Sequence, residues 1–256
     1  MFYESRGVGE PLVLIPGFAS GAWSWSWQVD DLAKSFQIIT FDPRGISRSR
    51  IGDDDVVSIS GIAADIGALL DKLTIETAHV LGISFGGFVA QDFALRFPHR
   101  VKRLVLASTS FGGPNHVAPS MQVLEAFGST DGLNTSERIR RYITVAFSRE
   151  FAKTHSPTVD KFCRLREENF VPREIYMQQL QAALGFNVEA QVPLIAAETL
   201  VITGDKDIVV PEQNSHNLAS ALPNARLEII RGSGHMAFVE KAAEFNRIVG
   251  AFLKAG

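Results

Sequence analysis

Short apolar runs rich in β-branched residues alternate with longer stretches of helical periodicity along most of this chain, and that alternation limits the folds open to it. The runs are continuously apolar, which indicates strands buried on both faces. Helices that cover both faces of a parallel sheet bury strands in this way, so we predict an α/β fold with a mostly parallel, doubly wound sheet. The six runs are residues 12–15, 37–41, 79–81, 104–106, 200–202 and 227–230.

One region interrupts the alternation and predicts a helical insertion. Between about residue 108 and about residue 200 the pattern is helical, and a structureless loop of that length is improbable in a compact domain. We therefore expect a core domain formed by residues 1–110 and 192–256, with a helical cap at 111–191; the alternative is that these helices only extend the core. The helices predicted inside the insertion are 120–127, 135–148, 157–169 and 173–184, and those predicted outside it are 58–72, 86–96, one that follows Pro211, and 240–254.

Composition and charge favour a small-molecule partner. The chain has 256 residues, is 46% hydrophobic and carries a formal net charge of −3, so it lacks the dense basic face that nucleic acid or an anionic membrane requires. The single cysteine, Cys163, cannot form an internal disulfide, and the first residues lack the layout of a signal peptide. We expect a cytoplasmic monomer or homodimer that does not bind membranes and needs no metal or cofactor.

A glycine-rich turn supplies the candidate nucleophile. Gly82-Ile83-Ser84-Phe85-Gly86 lies between an apolar strand and a predicted helix, the setting in which a serine hydroxyl is exposed on a tight turn. Side chains at Gly82 and Gly86 would collide with the neighbouring strand or helix. A G-x-S-x-G pattern alone is short enough to occur by chance, so the prediction depends on partners for Ser84.

A serine hydroxyl needs a base, and one of the six histidines lies in a suitable place. His235 belongs to a glycine-containing loop after the last apolar strand, and the carboxyl ends of parallel strands are where sites assemble. An isolated histidine is more often a surface or satisfied core residue than a catalytic one, which is the interpretation we give to His79, His99, His116, His155 and His216.

An orienting carboxylate is predicted after the strand at 200–202. Asp205 and Asp207 both lie in the loop that follows it. Asp205 lies where the strand ends, a position typical of a turn or capping residue, whereas Asp207 is further along the loop and can reach His235. We favour Asp207, although the spacing does not exclude Asp205.

With these residues the chain resembles the α/β-hydrolase superfamily, in which nucleophile, acid and histidine follow one another in the order of Ser84, Asp207 and His235. The narrower resemblance is to 3-oxoadipate enol-lactonases, haloperoxidase-like esterases and meta-cleavage-product hydrolases. It implies an oxyanion hole made by the backbone N–H groups of Phe18 and Phe85. The chain departs from the pattern in having Pro16 where many relatives have histidine. The sequence also does not decide whether the first of the usual eight strands is present.

The resemblance and the composition together predict the chemistry. We expect a serine hydrolase that cleaves an ester or lactone of a small, largely apolar substrate, with C–C hydrolysis of a meta-cleavage product or a ligand-sensing role as alternatives. Eighteen phenylalanines against three tyrosines favour an apolar pocket. Its predicted lining residues are Ile83, Phe111, Phe127, Phe147 and Phe186, beside Phe18 and Phe85.

Overall fold

A single seven-stranded sheet forms the centre of the protein in the computed structural model, which describes residues 1–52, 55–128 and 132–255. The strand order is β1-β3-β2-β4-β5-β6-β7, and every neighbouring pair is parallel except β1 with β3. The predicted α/β class and mostly parallel sheet are therefore confirmed. The strands are β1 (Phe2–Arg6), β2 (Glu10–Ile15), β3 (Phe36–Asp42), β4 (Ala78–Ile83), β5 (Val101–Ala107), β6 (Glu198–Gly204) and β7 (Ala225–Ile230).

The helices outside the insertion cover both faces of the sheet. All four predicted there are present, the last of them as α11 (Ala242–Lys254), whereas the short helices α1 (Val29–Leu32) and α10 (Ala237–Glu240) were not predicted from the sequence. Ser58 caps α2, since its hydroxyl accepts a hydrogen bond from the Gly61 amide at 3.0 Å. These helices are α1 (Val29–Leu32), α2 (Ile59–Lys72), α3 (Phe85–Arg96), α9 (Glu212–Ala221), α10 (Ala237–Glu240) and α11 (Ala242–Lys254).

Alternate residues of the central strands enter two separate apolar clusters. In β2, Val13 packs with residues of α2, α3 and α9, whereas Leu12 and Leu14 pack with residues of α1 and α11 on the other face. Successive side chains of a strand point to opposite faces, so a continuously apolar strand can serve two cores. This is the physical reason that the runs in the sequence lack a polar face.

The insertion between β5 and β6 is helical, as predicted. Its two ends lie side by side, joined by an isolated bridge between Gly112 and Asn187 and by a hydrogen bond from the Val188 amide to the Phe111 carbonyl at 3.0 Å. Its residues enter both apolar clusters of the sheet domain, so division into a core and a separate cap stays a prediction. Its helices are α4 (Met121–Gly128), α5 (Thr135–Ala146), α6 (Arg149–Thr154), α7 (Ser156–Glu168) and α8 (Arg173–Leu184), of which α6 was not predicted.

No helix in the described ranges has the length and apolarity needed to cross a membrane.

Candidate active site

Four loops meet at one edge of the sheet because each follows a parallel strand. Phe18 follows β2, Ser84 follows β4, Asp207 follows β6 and His235 follows β7. The carboxyl ends of parallel strands lie at the same edge, so residues far apart in the sequence are brought together there. The candidate catalytic residues thus lie on loops supported by a rigid sheet.

Ser84 lies on a strained turn between β4 and α3. Its φ and ψ angles are 53° and −119°, a conformation that costs an L-residue free energy and persists only where the surroundings impose it. The surroundings do so here: the Ser84 amide donates to the Ala107 carbonyl at 2.9 Å, and the Ser84 carbonyl accepts from the Thr109 hydroxyl at 2.9 Å. The backbone is fixed by the neighbouring strand, and the side chain makes no capping hydrogen bond to α3.

The glycines around Ser84 allow this turn to pack. A Cβ at Gly82 would lie 2.2 Å from the Gly86 carbonyl oxygen, and one at Gly86 would lie 2.3 Å from the Ile15 carbonyl oxygen. Both obstacles are backbone atoms, which cannot move aside as a flexible side chain can. The sequence-based interpretation of these two glycines is confirmed.

We expect Gly82→Ala to lower the free energy of unfolding by about 3 kcal/mol or more, because the added methyl group must displace the backbone of α3. Gly128→Ala is the matched control, since nothing lies within 4 Å of its ideal Cβ position, and it should change stability by less than about 1 kcal/mol. Urea denaturation followed by circular dichroism measures both. Equal stabilities of the two variants would contradict the packing argument.

The acid and the histidine form a buried pair. His235 Nδ1 lies 2.8 Å from Asp207 Oδ2, and the two side chains are 3% and 0% exposed. Asp207 Oδ1 accepts hydrogen bonds from the amides of Val209 and Val210 at 2.9 and 2.8 Å, so the carboxylate is fully engaged and oriented. The pairing leaves Nε2 as the ring nitrogen of His235 that can accept a proton.

Asp205 has a different environment. Its Oδ1 accepts a hydrogen bond from the Gly232 amide at 2.6 Å, and its Oδ2 lies 3.5 Å from Lys206 Nζ and 3.8 Å from Arg231 Nη1. The structure thus places Asp205 against the turn that follows β7 and places Asp207 against His235.

Ser84 and His235 line one cavity. Of the predicted pocket residues, Phe18, Ile83 and Phe127 also line it, whereas Phe85 is not among its lining residues. The remaining lining residues, which the sequence analysis did not single out, are Gly17, Ser20, Ser24, Tyr142, Phe162, Met236 and Phe238.

Other predicted pocket residues lie elsewhere. Phe111 and Phe186 are buried in the apolar cluster around α2 and α3, where Phe186 stacks on Phe88 with ring centroids 4.4 Å apart. Phe147 stacks on Phe151 at 5.7 Å within the insertion. These three rings do not line the cavity of Ser84, because burial against other helices satisfies an aromatic side chain as well as a pocket does.

The two residues of the predicted oxyanion hole lie beside Ser84. Phe85 is the first residue of α3, a position whose amide has no acceptor within the helix. Phe18 adjoins Gly17, whose ideal Cβ position lies 3.6 Å from Ser84 Cβ, and the Phe18 and Phe85 rings meet edge to face at 6.3 Å. The placement is compatible with two backbone donors near Ser84, and their role stays a prediction.

Two residues near the site escaped the sequence analysis because their importance depends on tertiary contacts. Tyr142 of α5 lines the cavity, contacts Met236 Sδ through its hydroxyl at 3.5 Å, and has a raised pKa because of its burial. Glu240 of α10 is 7% exposed, and desolvation raises the pKa of its carboxyl. Only its position at a predicted helix start marked Glu240, which is an ordinary place for an acidic residue.

In the described part of the chain, no three His, Cys, Asp or Glu side chains are grouped as ligands for a metal ion.

A sheet of this topology with a nucleophile turn, an acid loop and a histidine loop at its carboxyl edge defines a class of hydrolytic enzymes. The family model described as the alpha/beta hydrolase fold matches residues 10–242. The chain belongs to this family, as its sequence resemblance implied.

Named relatives differ in the bonds they cleave. A 2-hydroxymuconate semialdehyde hydrolase of Pseudomonas sp. strain CF600 is 32% identical over 263 residues, covering 98% of this chain and 89% of that protein. A protein of Stutzerimonas stutzeri, provisionally named a carbamate hydrolase, is 28% identical over 254 residues, covering 97% and 95%. The crystal structure of a meta-cleavage product hydrolase of Pseudomonas fluorescens superposes with a TM-score of 0.84 at 26% identity, covering 98% and 93%. The comparisons support a hydrolase and leave its substrate class open.

Proposed function

We propose that this protein is a serine hydrolase that cleaves a carboxylic ester or lactone of a small, largely apolar substrate through an acyl-enzyme. One observation carries the proposal: Ser84, on its strained turn, shares a cavity with His235, whose Nδ1 is held by Asp207 at 2.8 Å. This is the arrangement needed to activate a hydroxyl that is a poor nucleophile at neutral pH.

The proposed reaction has two halves. In the first, Ser84 Oγ bonds to the carbonyl carbon as its proton passes to His235 Nε2, and the negative charge on the carbonyl oxygen is stabilised by the Phe18 and Phe85 amides. The C–O bond then breaks, and His235 returns the proton to the leaving oxygen. In the second half, water attacks the acyl-enzyme by the same route, which releases the acid and restores Ser84.

The lining of the cavity supports a largely apolar substrate. Its lining includes four phenylalanines, and besides Ser84 and His235 the described lining residues with polar side chains are Ser20, Ser24 and Tyr142. An alkoxide leaving group needs only the proton that His235 carries, so the described groups suffice for ester cleavage.

C–C hydrolysis is the second candidate. An adjoining cavity is lined by Arg138 and Arg166 together with Tyr142 and Tyr176, and no carboxylate is among its described lining residues. Burial raises the pKa of Tyr176 to about 12, although the nearby Arg166 and Arg138 act to lower it. Guanidinium groups bind carboxylates, which favours a substrate with an acidic end. The 32% identity to a 2-hydroxymuconate semialdehyde hydrolase supports the same candidate.

Labelling and a substrate panel test the proposal. A fluorophosphonate should add covalently to Ser84, as mapped by peptide mass spectrometry, because the reagent requires an activated serine. In a separate assay, unlabelled enzyme should hydrolyse p-nitrophenyl acetate and a simple lactone faster than it hydrolyses a coloured meta-cleavage product, whose loss is followed by absorbance. Faster loss of the coloured product would replace the ester proposal by C–C hydrolysis. Absence of the adduct, or one slow turnover that leaves a stable adduct, would reject catalytic ester hydrolysis.

A further inference from the structure

A buried carboxylate connects the loop of His235 to the helical insertion. Glu240 Oε1 accepts hydrogen bonds from the Gly234 amide at 2.9 Å and from the Ser148 amide at 3.0 Å, and Glu240 Oε2 accepts one from the Ser148 hydroxyl at 2.6 Å. Gly234 precedes the candidate catalytic histidine, and Ser148 is the N-cap of α6. The carboxylate therefore links two segments that are far apart in the sequence.

Other contacts show how closely these two segments are packed. The Met236 amide donates to the Ala146 carbonyl at 3.1 Å, so both residues that flank His235 are bonded to this network. A Cβ at Gly234 would lie 2.7 Å from the Ser148 nitrogen, which leaves no space for a side chain at this position. The backbone that carries His235 thus rests directly on the corner between α5 and α6.

Stability alone is a weak reason for this arrangement. Removing a carboxylate from water is costly, and buried charged groups are often replaced by apolar residues without loss of stability. Glu240 is 7% exposed, and among the described residues its oxygens receive three hydrogen bonds, all from the histidine loop and the insertion corner. The carboxylate therefore bonds both segments at once.

We propose that Glu240 is a positioning residue. It holds the backbone of His235 at a fixed position relative to the insertion, so that the imidazole can bond to Asp207 and reach Ser84. Asp207 orients the imidazole ring from one side, and Glu240 fixes the main chain from which that ring projects. Small displacements of a base relative to its nucleophile are costly in rate. The role in catalysis rests on the proposed function, whereas the effect on the loop does not.

The test compares Glu240→Ala with Glu240→Gln. Alanine removes every acceptor, so kcat should fall at least tenfold with KM within about threefold of wild type, and fluorophosphonate should label Ser84 correspondingly more slowly. Glutamine keeps an oxygen for the Gly234 and Ser148 amides and an NH2 group that can donate to the Ser148 hydroxyl, so its kcat should stay within about threefold of wild type.

Asn214→Ala is the matched control for general destabilisation. The Asn214 side chain accepts from the Val117 amide at 2.8 Å and donates to the Val117 carbonyl at 2.9 Å, and so joins the insertion to α9 and not to the histidine loop. The Asn214→Ala variant should therefore have a lower melting temperature than wild type and an unchanged kcat. If Glu240→Ala, folded by circular dichroism, loses no more kcat than Asn214→Ala, or if Glu240→Gln is as impaired as Glu240→Ala, the positioning role is wrong.

Hydrogen–deuterium exchange separates this inference from the proposed function. The peptide that contains Gly234 and Met236 should exchange faster in Glu240→Ala than in wild type or Asn214→Ala, whatever reaction the protein catalyses. Unchanged exchange would overturn the positioning role even if Ser84 is the nucleophile. Retained activity in Ser84→Ala together with faster exchange would instead reject the proposed function and leave Glu240 as the residue that holds this loop.

Discussion

Ser84→Ala should lower kcat/KM for p-nitrophenyl acetate by at least about a thousandfold. The substitution removes the only atom that forms the acyl-enzyme in the proposed mechanism, while the amides and the apolar lining that bind the substrate remain. Alanine replaces a serine whose side chain makes no capping hydrogen bond, and the φ of 53° is imposed by neighbouring backbone contacts. The loss should therefore appear in activity and not in folding, as measured by initial rates and thermal melting.

Ser108→Ala is a closely matched control for that experiment. Ser108 also follows a parallel strand, β5, has a positive φ of 45° and is buried, but it does not line the cavity of Ser84. A serine in a strained, buried turn is thus removed without removing the proposed nucleophile. Activity of Ser84→Ala close to that of Ser108→Ala would show that another residue performs the reaction.

Asp207→Asn should reduce kcat by about a thousandfold to ten-thousandfold, by analogy with triads in which the orienting acid was changed to its amide. The asparagine oxygen can still accept from the Val209 and Val210 amides, which turns the NH2 group toward His235 Nδ1. A ring nitrogen that accepts from an amide carries no proton, so the neutral imidazole has its proton on Nε2. That tautomer cannot take the proton of Ser84.

Asp205→Asn separates the two candidate acids. Its oxygen can still accept from the Gly232 amide, and the contacts to Lys206 and Arg231 at 3.5 and 3.8 Å are weakened. Lys206 and Arg231 are 64% and 77% exposed and lie at least 3.5 Å from the carboxylate, so these ion pairs contribute little and activity should stay within a few-fold of wild type. Steady-state kinetics of both variants on one ester decides between them. A larger loss in Asp205→Asn would reverse the assignment that spacing left open.

Local features of the sequence were sufficient for the architecture. The apolar runs identified six of the seven strands, because a strand covered by helices on both faces is composed mostly of apolar residues. Gly82 and Gly86 marked the turn at Ser84, because a residue without a side chain is required where backbones meet closely. The order of strands also implied that Asp207 and His235 lie at the same edge of the sheet as Ser84.

Only the tertiary structure decided which side chains meet. Phe127 lines the cavity whereas Phe111, Phe147 and Phe186 do not, although all four are aromatic residues of the predicted cap. The contacts that bring Tyr142 to Met236 and Glu240 to Ser148 join positions that are 94 and 92 residues apart. Such contacts depend on how the insertion packs on the sheet, and periodicity along one segment carries no information about the surface that it will meet. The sequence therefore determined the fold, the candidate nucleophile and base, and two candidates for the acid. Packing paired Asp207 with His235 and determined the walls of the pocket and the contacts of the histidine loop.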